Sequence, residues 1–288
     1  MTVIDTHTHA FPDTLARRAI ETLQAEVRGC GLGLPDTAYT DGTAKGLCDI
    51  MDRGGVDRAV LLPVATKPGQ AEGINRWTAG FLAGDKGGRV IPFGAVFPGE
   101  GVERELEKIA MAGYKGVKLH GDYQRFYADD MRMTEVYRRC GELSLIVVMH
   151  AGEDPASPGD VHVTPKRMAR VFDRISGVNM VLAHMGGIGC EHEAARLLSG
   201  APGLWVDTAY MAGRLSPEEM TELIRSYGAD RVLFGSDCPW NDPAEDMALI
   251  NACDLSDEER EGIFSGNFLR LMSCWKQEAR SKRQEYPP

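Results

Sequence analysis

The 288-residue chain lacks the features that mark membrane, secreted or nucleic-acid-binding proteins. No apolar run approaches the ~20 residues needed to span a bilayer. No basic and apolar leader precedes the strand-like "VID" near its start, which reads as the absence of a secretory signal. The seven cysteines are odd in number and scattered, without a C-x-x-C pair. That argues against a disulfide framework or a cysteine-based zinc site, and a reducing cytoplasm is expected. Positive charge is short as well: 32 Lys and Arg stand against 42 Asp and Glu, a formal net charge of −10. Such a balance repels phosphate backbones and anionic lipid, so neither nucleic acid nor a membrane is expected as a partner. Also missing are a glycine-rich phosphate loop after any early strand and any linker, composition break or internal repeat that would mark a second domain.

What remains is a globular composition, 43% hydrophobic and 26% charged, with a regular series of short apolar runs. Eight of them read as strands: Val3–His7, Val56–Pro63, Val90–Val96, Gly116–His120, Leu145–His150, Asn179–His184, Leu204–Thr208 and Arg231–Gly235. Segments with helical spacing lie between most of them, such as the stripe Met133, Val136, Tyr137, Cys140, Leu143 and the stripe Val102, Leu106, Ile109. Ser216-Pro217-Glu218-Glu219 and Ser256-Asp257-Glu258-Glu259 are capping boxes, and Thr164-Pro165 is another helix start. Gly141 and Gly228 stand where helix C-terminal glycines are expected. Strands apolar enough for burial on both faces, alternating with helices, imply a parallel sheet. The count and a length near the ~250 residues of a typical barrel predict an α/β fold, a single (β/α)8 TIM barrel over residues 1–288. Insertions at 10–42 and 151–164 are expected over its C-terminal face, with 276–288 as a loose tail.

The histidines give this frame a chemistry. In "IDTHTH", His7 and His9 are two apart, so a strand points both to one face about 7 Å apart. His120, His150 and His184 end strands four, five and six, and Asp237 follows strand eight in "LFGSDCPW". Five of the seven histidines and one aspartate thus meet on one rim. Desolvating these imidazoles and a carboxylate together is costly unless a cation joins them, so a metal centre is expected.

"IDTHTH", "GVKLH", "VVMHAGED", "VLAHMGG", "LFGSDCPW" and "GNFLRLM", in this order from Ile4 to about Met272, resemble the amidohydrolase superfamily. More narrowly they resemble the amidohydrolase-related branch that contains aminocarboxymuconate-semialdehyde decarboxylase and related hydrolases and hydratases. The resemblance implies that His7, His9, His150 and Asp237 are metal ligands and that His184 handles protons or polarises the substrate beside the metal. It implies one divalent cation, Zn²⁺ foremost and Mn²⁺ as the alternative, and a homodimer as a possible assembly. Binuclear members carry a carboxylated lysine at the end of strand four, where Lys118 shares a face with His120; a lysine paired with an acid inside the barrel is the plainer reading.

The expected activity is hydrolysis, with a metal-activated water attacking the carbonyl of a small amide, ester or lactone, and Asp237 and His184 as catalytic residues. The same constellation suits non-oxidative decarboxylation, or hydration, of an unsaturated or aromatic acid. Arg53, Arg125 and Arg214 are candidates for binding a substrate carboxylate. Glu153, Asp154 and His162 read as solvated loop residues, Cys238 as a small buried neighbour of Asp237, and Trp205 and Trp240 as packing; His192 carries no signal. Metal storage fits less well, since structural zinc sites are usually closed by Cys and His. An inert scaffold would be expected to lack some of the ligands, and none is missing.

Overall fold

The computed structural model describes residues 1–31 and 36–273. The expected tail 276–288 lies outside them, as do four residues of the first insertion. Nine strands occur among the described residues: β1 (Ile4–Thr8), β2 (Arg58–Leu61), β3 (Val90–Pro92), β4 (Gly94–Ala95), β5 (Gly116–Leu119), β6 (Ile146–Met149), β7 (Met180–Leu182), β8 (Leu204–Asp207) and β9 (Val232–Leu233). All neighbouring pairs are parallel, in the orders β1-β2-β3 and β4 through β9. β3 and β4 are one barrel strand interrupted at Phe93, whose N–H still donates to Leu61 O at 2.9 Å. The other seam is closed beyond β9. Thr6 N donates to Phe234 O at 2.8 Å, Asp237 N to His7 O at 2.8 Å and His9 N to Cys238 O at 2.6 Å. The eight expected strands are therefore the eight staves of a (β/α)8 barrel.

Alternation sorts their side chains. Ile146, Val148, Val181, Trp205 and Leu233 fill the barrel interior, together with Phe268 and Leu271 from the helical residues 267–273. The intervening Val147, Met149, Met180, Leu182, Leu204 and Val206 face the helices in the larger core. Burial on both faces is what the near-continuous apolar runs required. Both capping boxes form, at Ser216 and Ser256, and Thr164 caps the helix Pro165–Arg174. Gly228 ends its helix as expected, but Gly141 does not: it sits in the last turn of Met131–Glu142, and the positive φ of 55° falls on Ser144. Gly141 is small for a different reason, because a Cβ there would stand 2.6 Å from Gly177 O.

β1 departs from simple alternation at the place that matters. Asp5 to Thr8 spans three residues where the partner Ala59 to Leu61 spans two. The extra residue lets Ile4 and Thr6 line the interior while His7 and His9 turn to the mouth. Among the described residues no helix is long and apolar enough to cross a membrane.

Candidate metal centre

His7 lies in β1 with His9 just past its end, Lys118 lies within β5 with His120 just past its end, His150 follows β6, His184 follows β7 and Asp207 ends β8. Asp237 lies in the segment that seals the barrel. His184 and Asp237 both take positive φ, 61° and 69°, a conformation that non-glycine residues hold only when their surroundings enforce it. For His184 the enforcing contact is its N–H to Asp207 Oδ1 at 2.9 Å; for Asp237 it is the backbone bond to His7. Gly235 permits the approach of the two segments, since a Cβ there would stand 2.9 Å from His7 Cβ.

The hydrogen bonds fix which ring nitrogens face inward. His9 Nδ1 donates to Leu62 O at 2.8 Å and His184 Nδ1 to Ala209 O at 3.0 Å. His7 Nδ1 donates to Asp207 Oδ2 at 2.9 Å. A neutral imidazole with its proton on Nδ1 keeps its lone pair on Nε2, so all three rings present Nε2 lone pairs to the centre. There His7 Nε2 and His9 Nε2 stand 3.4 and 3.1 Å from Asp237 Oδ1. Lone pairs facing a carboxylate repel unless positive charge lies among them; Lys118 offers some to His7 Nε2 alone, and His7, His9 and Asp237 bring one donor atom each within 4.8 Å of one another. The donor set thus fits a divalent cation. His7, His184 and Asp207 form a second such group, and His120, His150 and Asp154 a third. His150 joins the second and third groups: its Nδ1 is 3.1 Å from His184 Nε2, while its buried Nε2 has no hydrogen-bond partner.

Burial governs the electrostatics. Desolvation, reinforced by the Lys118 charge, drives the His7 pKa well below its usual value, and desolvation with His120 does the same to His150. His184 is lowered too, again by desolvation first. Burial would raise Asp237, but His7, His9 and His184 outweigh it and hold its carboxyl at about 2. Burial brings the Lys118 ammonium down to about 8, against the pull of Asp207, Asp237 and Asp154. Its Nζ lies 3.0 Å from His7 Nε2, and it is the one buried cationic side chain among the described residues.

The amidohydrolase family model matches residues 4–272. The chain belongs to the amidohydrolase family. No curated protein sequence matches it, but solved structures do. An uncharacterized TIM-barrel protein, Bb4693, from Bordetella bronchiseptica is 18% identical over 96% of this chain and 100% of its own, with a TM-score of 0.77. The 5-carboxyvanillate decarboxylase LigW from Sphingomonas paucimobilis is 17% identical, over 94% and 99%, at a TM-score of 0.68. LigW2 from Novosphingobium aromaticivorans, a 5-carboxyvanillate decarboxylase with bound manganese, is 18% identical, over 94% and 97%, at 0.72. At these identities the likeness is one of fold.

Within this amidohydrolase barrel several weaker candidates fall elsewhere. Arg53, Arg125, Arg214, Glu153 and His192 are exposed. His162 bonds Asp122 at 2.7 Å, Cys238 is buried, and Trp205 packs in the barrel interior; Trp240 is half-buried. Asp154 corrects the sequence reading. It is not a solvated loop carboxylate but is almost covered, accepting from His120 Nε2 at 3.1 Å and Tyr123 Oη at 3.2 Å. Two further carboxylates brace the site. Asp207 binds both His7 and His184. Asp5 accepts from His7 N at 3.1 Å and Ser236 N at 3.0 Å, tying β1 to the sealing segment, and burial raises its pKa to about 7.

Proposed function

We propose that this chain is a metal-dependent, non-oxidative decarboxylase of an unsaturated or aromatic carboxylic acid, with His7, His9, His150 and Asp237 holding one divalent cation. Imidazoles with a carboxylate suit Zn²⁺ or Mn²⁺. Bound there, the cation supplies Lewis acidity and a fixed point for substrate oxygens. The observation that carries the reading is Lys118, the buried ammonium beside His7, which favours an anion at the centre of a chain that is otherwise strongly acidic. The decarboxylases among the similar structures agree with it.

In such a reaction the bond between the carboxylate and its neighbouring carbon breaks. Its electron pair stays on that carbon and takes a proton, and CO₂ leaves. Lys118 draws the carboxylate in and orients it. The proton reaches that carbon through His184 Nε2, which first takes it up from solvent, because the neutral ring keeps its own hydrogen on Nδ1 toward Ala209 O. Asp237 stays ionised and steadies the positive charge that His184 acquires while it holds that proton. Burial of these groups keeps bulk water from competing for the proton.

Hydrolysis of an amide, ester or lactone is the second reading, favoured by the position of Asp237, an ionised carboxylate 3.1–3.4 Å from the His9 and His7 Nε2 atoms that can accept a proton from an attacking water. A turnover screen separates the two. Mn²⁺- or Zn²⁺-loaded protein is offered hydroxylated benzoates and unsaturated acids, with CO₂ release measured, and lactones and amides in parallel. CO₂ release supports the proposal; turnover of the second panel alone replaces it with the hydrolase reading.

A further inference from the structure

We propose that Asp154 is a positioning residue for His150, acting through a stacked column of three rings and thereby setting the cation affinity of the centre. This role rests on the reading of the centre given above. The rings of Tyr123 and His120 stack at 3.9 Å between centroids and 9° between planes, and those of His120 and His150 at 4.0 Å and 4°. Asp154 grips the polar edges of the first two. Its Oδ2 accepts from His120 Nε2 at 3.1 Å, and its Oδ1 from Tyr123 Oη at 3.2 Å and from Ala156 N at 2.8 Å. The stack holds the plane of the His150 ring, and a half-turn within that plane would carry Nδ1 away from His184 Nε2. Held so, it aims Nδ1 at His184 Nε2, 3.1 Å away.

The opposite nitrogen, Nε2, is buried without a hydrogen-bond partner and faces Asp154 Oδ2 at 3.9 Å. That is too long for a hydrogen bond, yet close enough for the carboxylate to favour the tautomer with hydrogen on Nε2. The lone pair then stays on Nδ1, facing the centre. Carboxylate support behind a ligating imidazole is worth roughly 10- to 100-fold in metal affinity. His120, His150 and Asp154 also lie close enough to hold a cation themselves. The parallel rings argue against it, because in-plane lone pairs on two rings stacked 4.0 Å apart do not converge on one point.

The test is Co²⁺ binding to the full chain, followed by calorimetry and by the visible spectrum of the bound ion, for wild type, Asp154→Asn and Tyr123→Phe. Asp154→Asn keeps size and removes the charge. It should weaken Co²⁺ binding by about 10- to 100-fold and shift the visible bands, with stoichiometry unchanged. Tyr123→Phe, which frees one tether, should give a smaller loss in the same direction. A purely structural role would lower the melting temperature without moving the bands. Wild-type affinity and an unchanged spectrum in a folded Asp154→Asn variant overturn the proposal, as does the loss of one whole Co²⁺ equivalent, which would make Asp154 a ligand. Should that variant not fold, unaltered binding by Tyr123→Phe overturns it instead. Failure of the wild type to take up Co²⁺ overturns the reading of the centre, and this role with it.

Discussion

Asp207 Oδ2 receives the Nδ1 proton of His7 at 2.9 Å, and both side chains are fully buried. The same carboxylate takes the backbone N–H of His184 through Oδ1, so one residue fixes the tautomer of one imidazole and the strained backbone of another. Asp207→Asn should weaken cation binding by about 10- to 100-fold while the barrel stays folded. Competition with a chromogenic chelator measures this, and circular dichroism checks the fold.

Asp237 and His184 are neighbours with different expected losses. Asp237→Asn should lower kcat by about 10²-fold or more and leave much of the metal bound, because an oxygen remains where the charge was. His184→Asn should keep the metal nearly stoichiometric and lower kcat by a comparable factor. Metal content read beside kcat separates them, and loss of metal from His184→Asn as complete as from His150→Asn would make His184 a ligand.

The pH dependence of metal retention follows from the direction of the imidazole shifts. A histidine with lowered pKa stays neutral below the ordinary value near 6.5, and only the neutral ring binds. His7, His150 and His184 are all shifted down. Bound metal should therefore stay level as pH falls through 6.5 and drop only in more acidic solution. Equilibrium dialysis across pH 4 to 8 tests this, and loss centred at or above 6.5 would mean that the rings titrate as exposed ones do.

Lys118 sets the alkaline side. Its ammonium, already down to about 8, loses its charge as pH rises through that value, and a bound cation would move the loss lower still. Under the decarboxylase reading, kcat/KM for an acid substrate should fall with an apparent pKa at or below about 8. Lys118→Met should raise KM for acids by about tenfold or more and abolish that limb. A limb that persists in the variant would assign it to another group.

The barrel was legible because strands buried on both faces leave uninterrupted apolar runs, and the rim because polar residues ended those runs. Asp207 obeys the same rule as His184: it follows "LWV" at a strand end and could have been found that way. Asp154 could not, since a loop carboxylate shows no period, and its partners His120 and Tyr123 are 34 and 31 residues away. Nor could the extra residue in β1, which exists only in its register against β2. Asp5 is hidden for a similar reason, because its Ser236 partner is 231 residues distant. Gly141 misled because glycine serves equally for a left-handed turn and for close backbone approach.

We propose one divalent cation held by His7, His9, His150 and Asp237, and anomalous diffraction from crystals grown with Mn²⁺ locates it. A single anomalous peak is expected within about 2.0–2.3 Å of His7 Nε2, His9 Nε2 and Asp237 Oδ1, with His150 completing the set. No peak there, or a peak only between His120 and Asp154, would contradict it.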